Sequence, residues 1–306
     1  MKRQLTLVLS IVLPALVGGC GPTGPTAEEK ARRLGRSGFG HALRGDYAQA
    51  IKDCSAGIKL APASAQAWHR RAQVYHEKGN YDQAIKDYSE AIELDPGWIA
   101  GWHQRGDAYV QKKDYDQAIK DYSEAIKLEP DRSIFWSDRG GCYHEKGNYD
   151  QAIEDDTTAI ELDPSNALYW RNRGYVYFRK GDYDQAIKDF SRAIELDHTY
   201  VDVWRQRGLA YIKRGARGSA IKDFSEAIRL DSDFSGAWFN RGDAYYSEGN
   251  YDQAIKDYSE VIKLEPDDAD AWRNRGNAYK KLGKEARAEA DFLKAEELEA
   301  KAKSKP

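Results

Sequence analysis

Residues 81–92 read YDQAIKDYSEAI; the same twelve letters return at 115–126, and again at 251–262 with Val261 in place of alanine. The tyrosine that opens the block stands at Tyr47, Tyr81, Tyr115, Tyr149, Tyr183 and Tyr251, each interval being 34 residues or a multiple of it. A fixed period of this length marks stacked supersecondary units, none of which can bury its apolar face alone. An active site is built once, from residues unlike their surroundings, so a chain of near-copies leaves little room for one.

Working outward, a register that starts at residue 31 divides the chain into eight units: 31–64, 65–98, 99–132, 133–166, 167–200, 201–234, 235–268 and 269–302. Position 4 of each unit is Trp68, Trp102, Trp136, Trp170, Trp204, Trp238 or Trp272, with Leu34 in the first. Position 8 is Gly or Ala, position 11 is Tyr from the second unit on, and position 20 is always Ala. This pattern resembles the tetratricopeptide repeat family, and the resemblance implies an all-α, right-handed α-solenoid of eight 34-residue helix-turn-helix repeats, each with a helix A and a helix B. The residue chemistry supports such packing on its own: small side chains at positions 8, 20 and 27 let backbones approach, and rings at 4, 11 and 24 fill the remaining volume.

The turn between the helices is legible. In KGNYDQA, EGNYDQA and KGDYDQA, Gly suits a left-handed C-terminal cap, Asn80, Asn148, Asn250 or Asp182 suits an N-cap, and Gln follows three residues later as in a capping box. Pro96, Pro130, Pro164 and Pro266 end helix B. Unit six (RGARGSA) and the last unit (LGKEARA) depart from the turn pattern, and Asp156 replaces the ring at position 24, a soft spot in the stack.

Position 7 is Arg71, Arg105, Arg139, Arg173, Arg207, Arg241 and Arg275, whereas many members of the family carry leucine there. Position 23 is Asp in all eight units, from Asp53 to Asp291. Two opposite charges in register predict a ladder of ion pairs between helices, within a repeat or from an Asp to the Arg of the next. Asp53, whose own unit has Ser37 at position 7, favours the second arrangement.

The first twenty residues are a different text. Lys2 and Arg3 precede an apolar run from Leu5 to Val17, and LVGGC closes it. This reads as an export signal over 1–19, and its end resembles the lipobox of bacterial lipoproteins, which implies cleavage before Cys20 and a lipid on that cysteine. Residues 20–30 then form a tether, with GPTGPT extended or flexible, 31–302 the solenoid, and 303–306 a polar tail. Gly21 is not the aspartate that favours inner-membrane retention in such lipoproteins, so the expected location is the bacterial cell envelope, on the periplasmic side of the outer membrane. Cys54 and Cys142 are read as buried small residues, since two whole repeats lie between theirs.

The net charge of -3 provides no basic footprint for nucleic acid. Function belongs where the copies disagree. In the family, ligands lie in the concave groove lined by variable helix A positions, here Leu168, Arg171, Asn172, Tyr175 and Phe178, then Arg205, Leu209 and Ile212, then Phe239, Asn240 and Tyr246. Apolar anchors beside cations suit a peptide; the competing reading is plain helix-to-helix packing. Arg179, Gln206, Lys213 and Asp243 belong to the same face, and Phe178 and Ile212 share a position in adjacent units.

Units two to four place His69 and His103 at position 5 and His76 and His144 at position 12, near Asp107 and Asp138. Duplication of YHEKGNYDQAI already accounts for two of these histidines, and no metalloprotease motif, cysteine pair or nucleophile elbow accompanies them. The expectation is therefore a polar groove surface with no catalytic residue, metal or cofactor; a metal site or enzyme on the His69, His76, His103 and His144 surface is the lesser alternative. The carboxylate clamp by which some relatives bind chaperones is absent, since Gly35, Phe39 and Ala100 fill its positions. The combined expectation is a monomeric, non-catalytic adaptor, anchored to the membrane through Cys20, that holds a protein or peptide of the envelope. A self-assembling or surface-covering structural protein is the alternative.

Overall fold

The computed structural model describes residues 24–303, and the expected signal sequence and Cys20 lie outside them. Sixteen α-helices and no strand occur among the described residues. The chain falls into two compact units, Met1–Asp95 and Pro96–Pro306. The first holds α1 (Ala27–Ala42), α2 (Tyr47–Leu60), α3 (Ala65–Glu77) and α4 (Tyr81–Leu94). The second holds α5 (Ile99–Gln111), α6 (Tyr115–Leu128), α7 (Ser133–Glu145), α8 (Tyr149–Leu162), α9 (Ala167–Lys180) and α10 (Tyr183–Leu196). It continues with α11 (Val201–Lys213), α12 (Arg217–Leu230), α13 (Ser235–Ser247), α14 (Tyr251–Leu264), α15 (Ala269–Lys281) and α16 (Glu285–Lys303). Odd-numbered helices are helix A of a repeat and even-numbered ones helix B, and the two pair across a short turn. The architecture is an all-α repeat solenoid.

Local chemistry sets the helix ends. Asp46, Asn80, Asp114, Asp182 and Asn250 each accept the backbone N–H three residues on, satisfying one of the orphan donors of helix B. Asn148, expected to do the same, makes no such bond. Among the described residues the reciprocal capping box occurs once in full, between Thr26 and Glu29, and it starts α1 at Ala27, ahead of the register at 31. Seven turns carry a left-handed glycine before the cap, φ between 68° and 90°. The eighth carries Lys113 at φ 60°.

The core is a column of small residues and rings. The position-20 alanines, Ala50 to Ala288, have at most 1% of their surface exposed, as do Tyr88, Phe190, Phe224 and Tyr258 at position 24. Each of those last three rings sets its Cδ1–Cε1 edge against the glycine at position 8 of its own repeat; a Cβ on Gly208 would stand 2.5 Å from Phe224 Cε1. Glycine is required there by close approach, and each buried ring contributes about 1.5–3 kcal/mol. The Trp at position 4 has a second task beyond filling volume. Its indole Nε1–H donates to the carbonyl six residues earlier, in the turn that ends the preceding helix B, at 2.8–3.0 Å in all seven cases. Cys54 and Cys142 are buried free thiols, and burial pushes them up to about 11 and about 12.

Candidate partner-binding face

The arginine ladder is architecture, and its pairing corrects the sequence-based expectation. Each Arg holds the Asp of its own repeat, sixteen residues on, from Arg71 with Asp87 to Arg275 with Asp291. The grip is bidentate: Nε and Nη2 each reach one carboxylate oxygen at 2.7–2.9 Å. Planar pairing of this kind is what guanidinium geometry suits. The link between repeats goes through a residue the sequence did not advertise. Nη1 donates to the position-25 hydroxyl of the preceding repeat: Arg71 to Ser55, Arg139 to Ser123, Arg173 to Thr157, Arg207 to Ser191, Arg241 to Ser225 and Arg275 to Ser259. Asp53, without an arginine in its repeat, accepts from Ser37 Oγ at 2.7 Å and Gln49 Nε2 at 2.6 Å.

The Trp at position 4 and the Tyr at position 11 lie on the guanidinium, for example Trp272 at 4.7 Å and Tyr279 at 5.9 Å from Arg275. Hydrogen bonding to Asp87, Asp155 and Asp291 holds Arg71, Arg139 and Arg275 above the ordinary guanidinium range against the opposing effect of burial. These groups are spoken for and offer no anion site.

The groove residues Leu168, Arg171, Asn172, Tyr175, Phe178, Arg205, Leu209, Ile212, Phe239, Asn240 and Tyr246 are half-buried. Several tie neighbouring helices A together. Asn172 Nδ2 donates to Ser137 Oγ at 3.2 Å, Tyr175 meets the His144 ring edge-on at 5.5 Å, and Arg171 donates to Tyr200 Oη at 3.1 Å while lying over its ring. Others pack inward. Leu168 joins the cluster of Ala159, Ile160 and Tyr169; Phe178 meets Tyr183 edge-on; Leu209 and Ile212 pack on Ala220, Phe224 and Ala244. Phe239 and Tyr246 meet Tyr258 and Tyr251 of their own repeat. Arg205 pairs with Asp202 at 3.1 Å and lies over Phe234, yet its Nε is buried without a partner. Asn240 shares the face and the half-buried state. Gln206, expected on the face, is buried, whereas Arg179 and Lys213 are exposed at its edge.

Of the four histidines, His103 has two carboxylates gathered around it, whereas His144 faces only Glu145, at 3.4 Å. His103 on α5 lies 2.8 Å from Asp138 Oδ2 on α7 through Nε2, and 3.8 Å from Asp107 Oδ2 through Nδ1. Burial opposes its charge, but the bond to Asp138 and the field of Asp107 outweigh that and raise its pKa. Tyr122 donates to Asp107 Oδ1 at 2.7 Å. His144 differs: burial pushes it below the ordinary imidazole range, and its Nε2 is buried without a partner, as is that of His76. His69 is buried against Tyr88. Among the described residues no helix is long and apolar enough to cross a membrane.

Comparison with known families decides what this frame is. Residues 140–181, 174–215 and 242–283 match as TPR repeat, and residues 65–97, 103–156, 205–260 and 269–301 match as tetratricopeptide repeat. The chain belongs to the tetratricopeptide repeat family. No curated protein matches it in sequence. Among solved structures, this tetratricopeptide protein is similar to MamA at 28% identity, TM-score 0.53, covering 54% of this chain and 97% of the other. It shares its fold with a tetratricopeptide repeat protein from Parabacteroides merdae, at 16% identity, TM-score 0.61, 81% of this chain and 98% of that one. YrrB, described as a TPR protein with an unusual peptide-binding site, matches at 20% identity, TM-score 0.52, 61% of this chain and 96% of that one.

Proposed function

We propose that this protein is a non-catalytic interaction scaffold whose helix A face holds an extended or helical segment of a partner protein. The observation that carries this reading is the contrast within each repeat. The ladder and the ring column recur with little change, while the half-buried residues of α9, α11 and α13 vary among Tyr, Phe, Ile, Leu, Asn and Arg with exposed Arg179 and Lys213 beside them. Aromatic and aliphatic anchors supply burial and the cations orient acidic groups of the ligand. The peptide-binding site described for YrrB supports the class of ligand.

The setting we propose is the bacterial cell envelope. Export by residues 1–19 and lipidation of Cys20 would tether the scaffold as a monomer to the periplasmic side of the outer membrane, where two or more acyl chains hold stably. The reading rests on LVGGC after an apolar run.

The test is a crosslinking pull-down from intact envelopes comparing wild type with Arg179→Glu/Lys213→Glu. Those side chains are exposed, so reversing their charge spares the fold. Tyr175→Ala, matched for helicity, probes the apolar part. A partner captured by wild type and lost from both variants is expected. Capture of the same partners by all three would move the site to another surface, and end-to-end self-association in sedimentation would favour a structural role.

A further inference from the structure

The junction of the third and fourth repeats differs from its counterpart at the seventh and eighth in a way that packing does not explain. At the later junction Asp243 on α13 accepts from Tyr258 Oη at 2.7 Å and from Asn274 Nδ2 on α15 at 3.2 Å, and Phe239 meets the Tyr258 ring at 5.9 Å. One carboxylate thus has two neutral donors and an apolar neighbour. At the earlier junction Asp107 takes the place of Asp243 and Tyr122 that of Tyr258, with the same 2.7 Å bond. But Asp138 stands in the place of Asn274, and His103, 5.6 Å from the Tyr122 ring, in that of Phe239. The donor has become a second carboxylate and the ring an imidazole.

From this geometry we infer that His103, Asp107 and Asp138 form a binding site for a divalent transition cation of the zinc class, clipping α5 to α7. One ligand atom from each residue lies within 4.8 Å of the other two. An imidazole nitrogen with two carboxylate oxygens is a donor set that Zn²⁺ accepts, and three protein ligands leave a fourth, tetrahedral position to water or to a carboxylate from a bound partner. Two converging carboxylates match the charge of a dication, and Arg132, whose charge is felt at His103, is engaged with Glu129 and the Phe135 ring. Tyr122 holds Asp107 through Oδ1, and Oδ2 is the oxygen on the His103 side; outer-shell bonds of this kind orient metal ligands. The three side chains are 24–37% exposed, so an ion can reach them from solvent.

The later junction also supplies the control. His103→Phe/Asp138→Asn installs side chains that this fold already carries at equivalent places, so the variant keeps its packing. Calorimetric titration of the chelator-treated protein with Zn²⁺ alone is expected to show one saturable equivalent for wild type. The double variant, and Asp138→Asn alone, should bind at least tenfold more weakly with unchanged helicity. Absence of a saturable equivalent in wild type overturns the inference, and so does wild-type affinity in the double variant, which would assign the ion to other histidines. The scaffold reading stands or falls separately, on the pull-down.

Discussion

Arg173 holds Asp189 through two parallel hydrogen bonds of 2.8 and 2.9 Å, and its remaining nitrogen reaches Thr157 of the preceding repeat at 3.0 Å. Thr157 in turn donates to the Ile153 carbonyl at 2.6 Å, one turn back. A single guanidinium therefore closes the helix pair of its own repeat and docks the repeat before it. The arrangement recurs within each of the two units, so lateral cohesion between their repeats runs through charge and hydroxyl as well as through rings.

Asp189 is 3% exposed, and removing it strands the half-buried guanidinium of Arg173. We expect Asp189→Ala to cost about 3–5 kcal/mol, and Asp189→Ala/Arg173→Ala to recover part of that loss, because the double variant leaves no charge unpaired. Thermal unfolding followed by circular dichroism measures both. Equal melting temperatures would show that the pair is not a unit.

Asp156 stands where the neighbouring repeats bury a ring, and one of its oxygens has no partner. Burial, reinforced by Asp155, raises its pKa well above the carboxylate range. Above about pH 4 the unfolded aspartate has lost its proton while the folded one retains it, so folding takes up a proton and stability falls as pH rises through the folded value. Asp156→Leu should therefore stabilise the protein by about 1–3 kcal/mol, with the gain larger near pH 8 than near pH 4.5. Denaturant titrations of both proteins at the two pH values test this, and a gain independent of pH would contradict it.

Lys113 occupies the left-handed turn position that glycine fills in the other seven repeats. A side chain there costs about 1–2 kcal/mol, partly offset by the greater freedom glycine has in the unfolded chain. Lys113→Gly should raise stability by ~1 kcal/mol without loss of helix, read as a rise in melting temperature. An unchanged or lower value would mean that the turn between α5 and α6 is not strained.

Much of this was readable in the letters. The period, the helix pairs, the capping Asp and Asn residues and the Asp156 weak point follow from local rules that act within a few residues. The pairing partner of each Arg did not follow, because Asp positions sixteen residues later and eighteen residues earlier both lie one helix away, and only the docked geometry separates them. Asp53 therefore points to the wrong neighbour, and nothing in the letters marks the position-25 hydroxyl as a partner. Trp at position 4 reads as a volume filler, whereas its indole N–H also closes the preceding turn. Gln206, which its spacing places on the open face, is buried.

By itself the sequence determined the repeat length, the all-α class, the places where helices start and stop, and which columns vary. These depend on side-chain type at fixed spacing, which 34 residues contain in full. Tertiary structure alone decided that His103, Asp107 and Asp138 converge while His69, His76 and His144 do not join them. Residues 35 positions apart, such as His103 and Asp138, meet only when one helix A is laid beside the next. The rotation of each helix then sets which of the many polar side chains face one another.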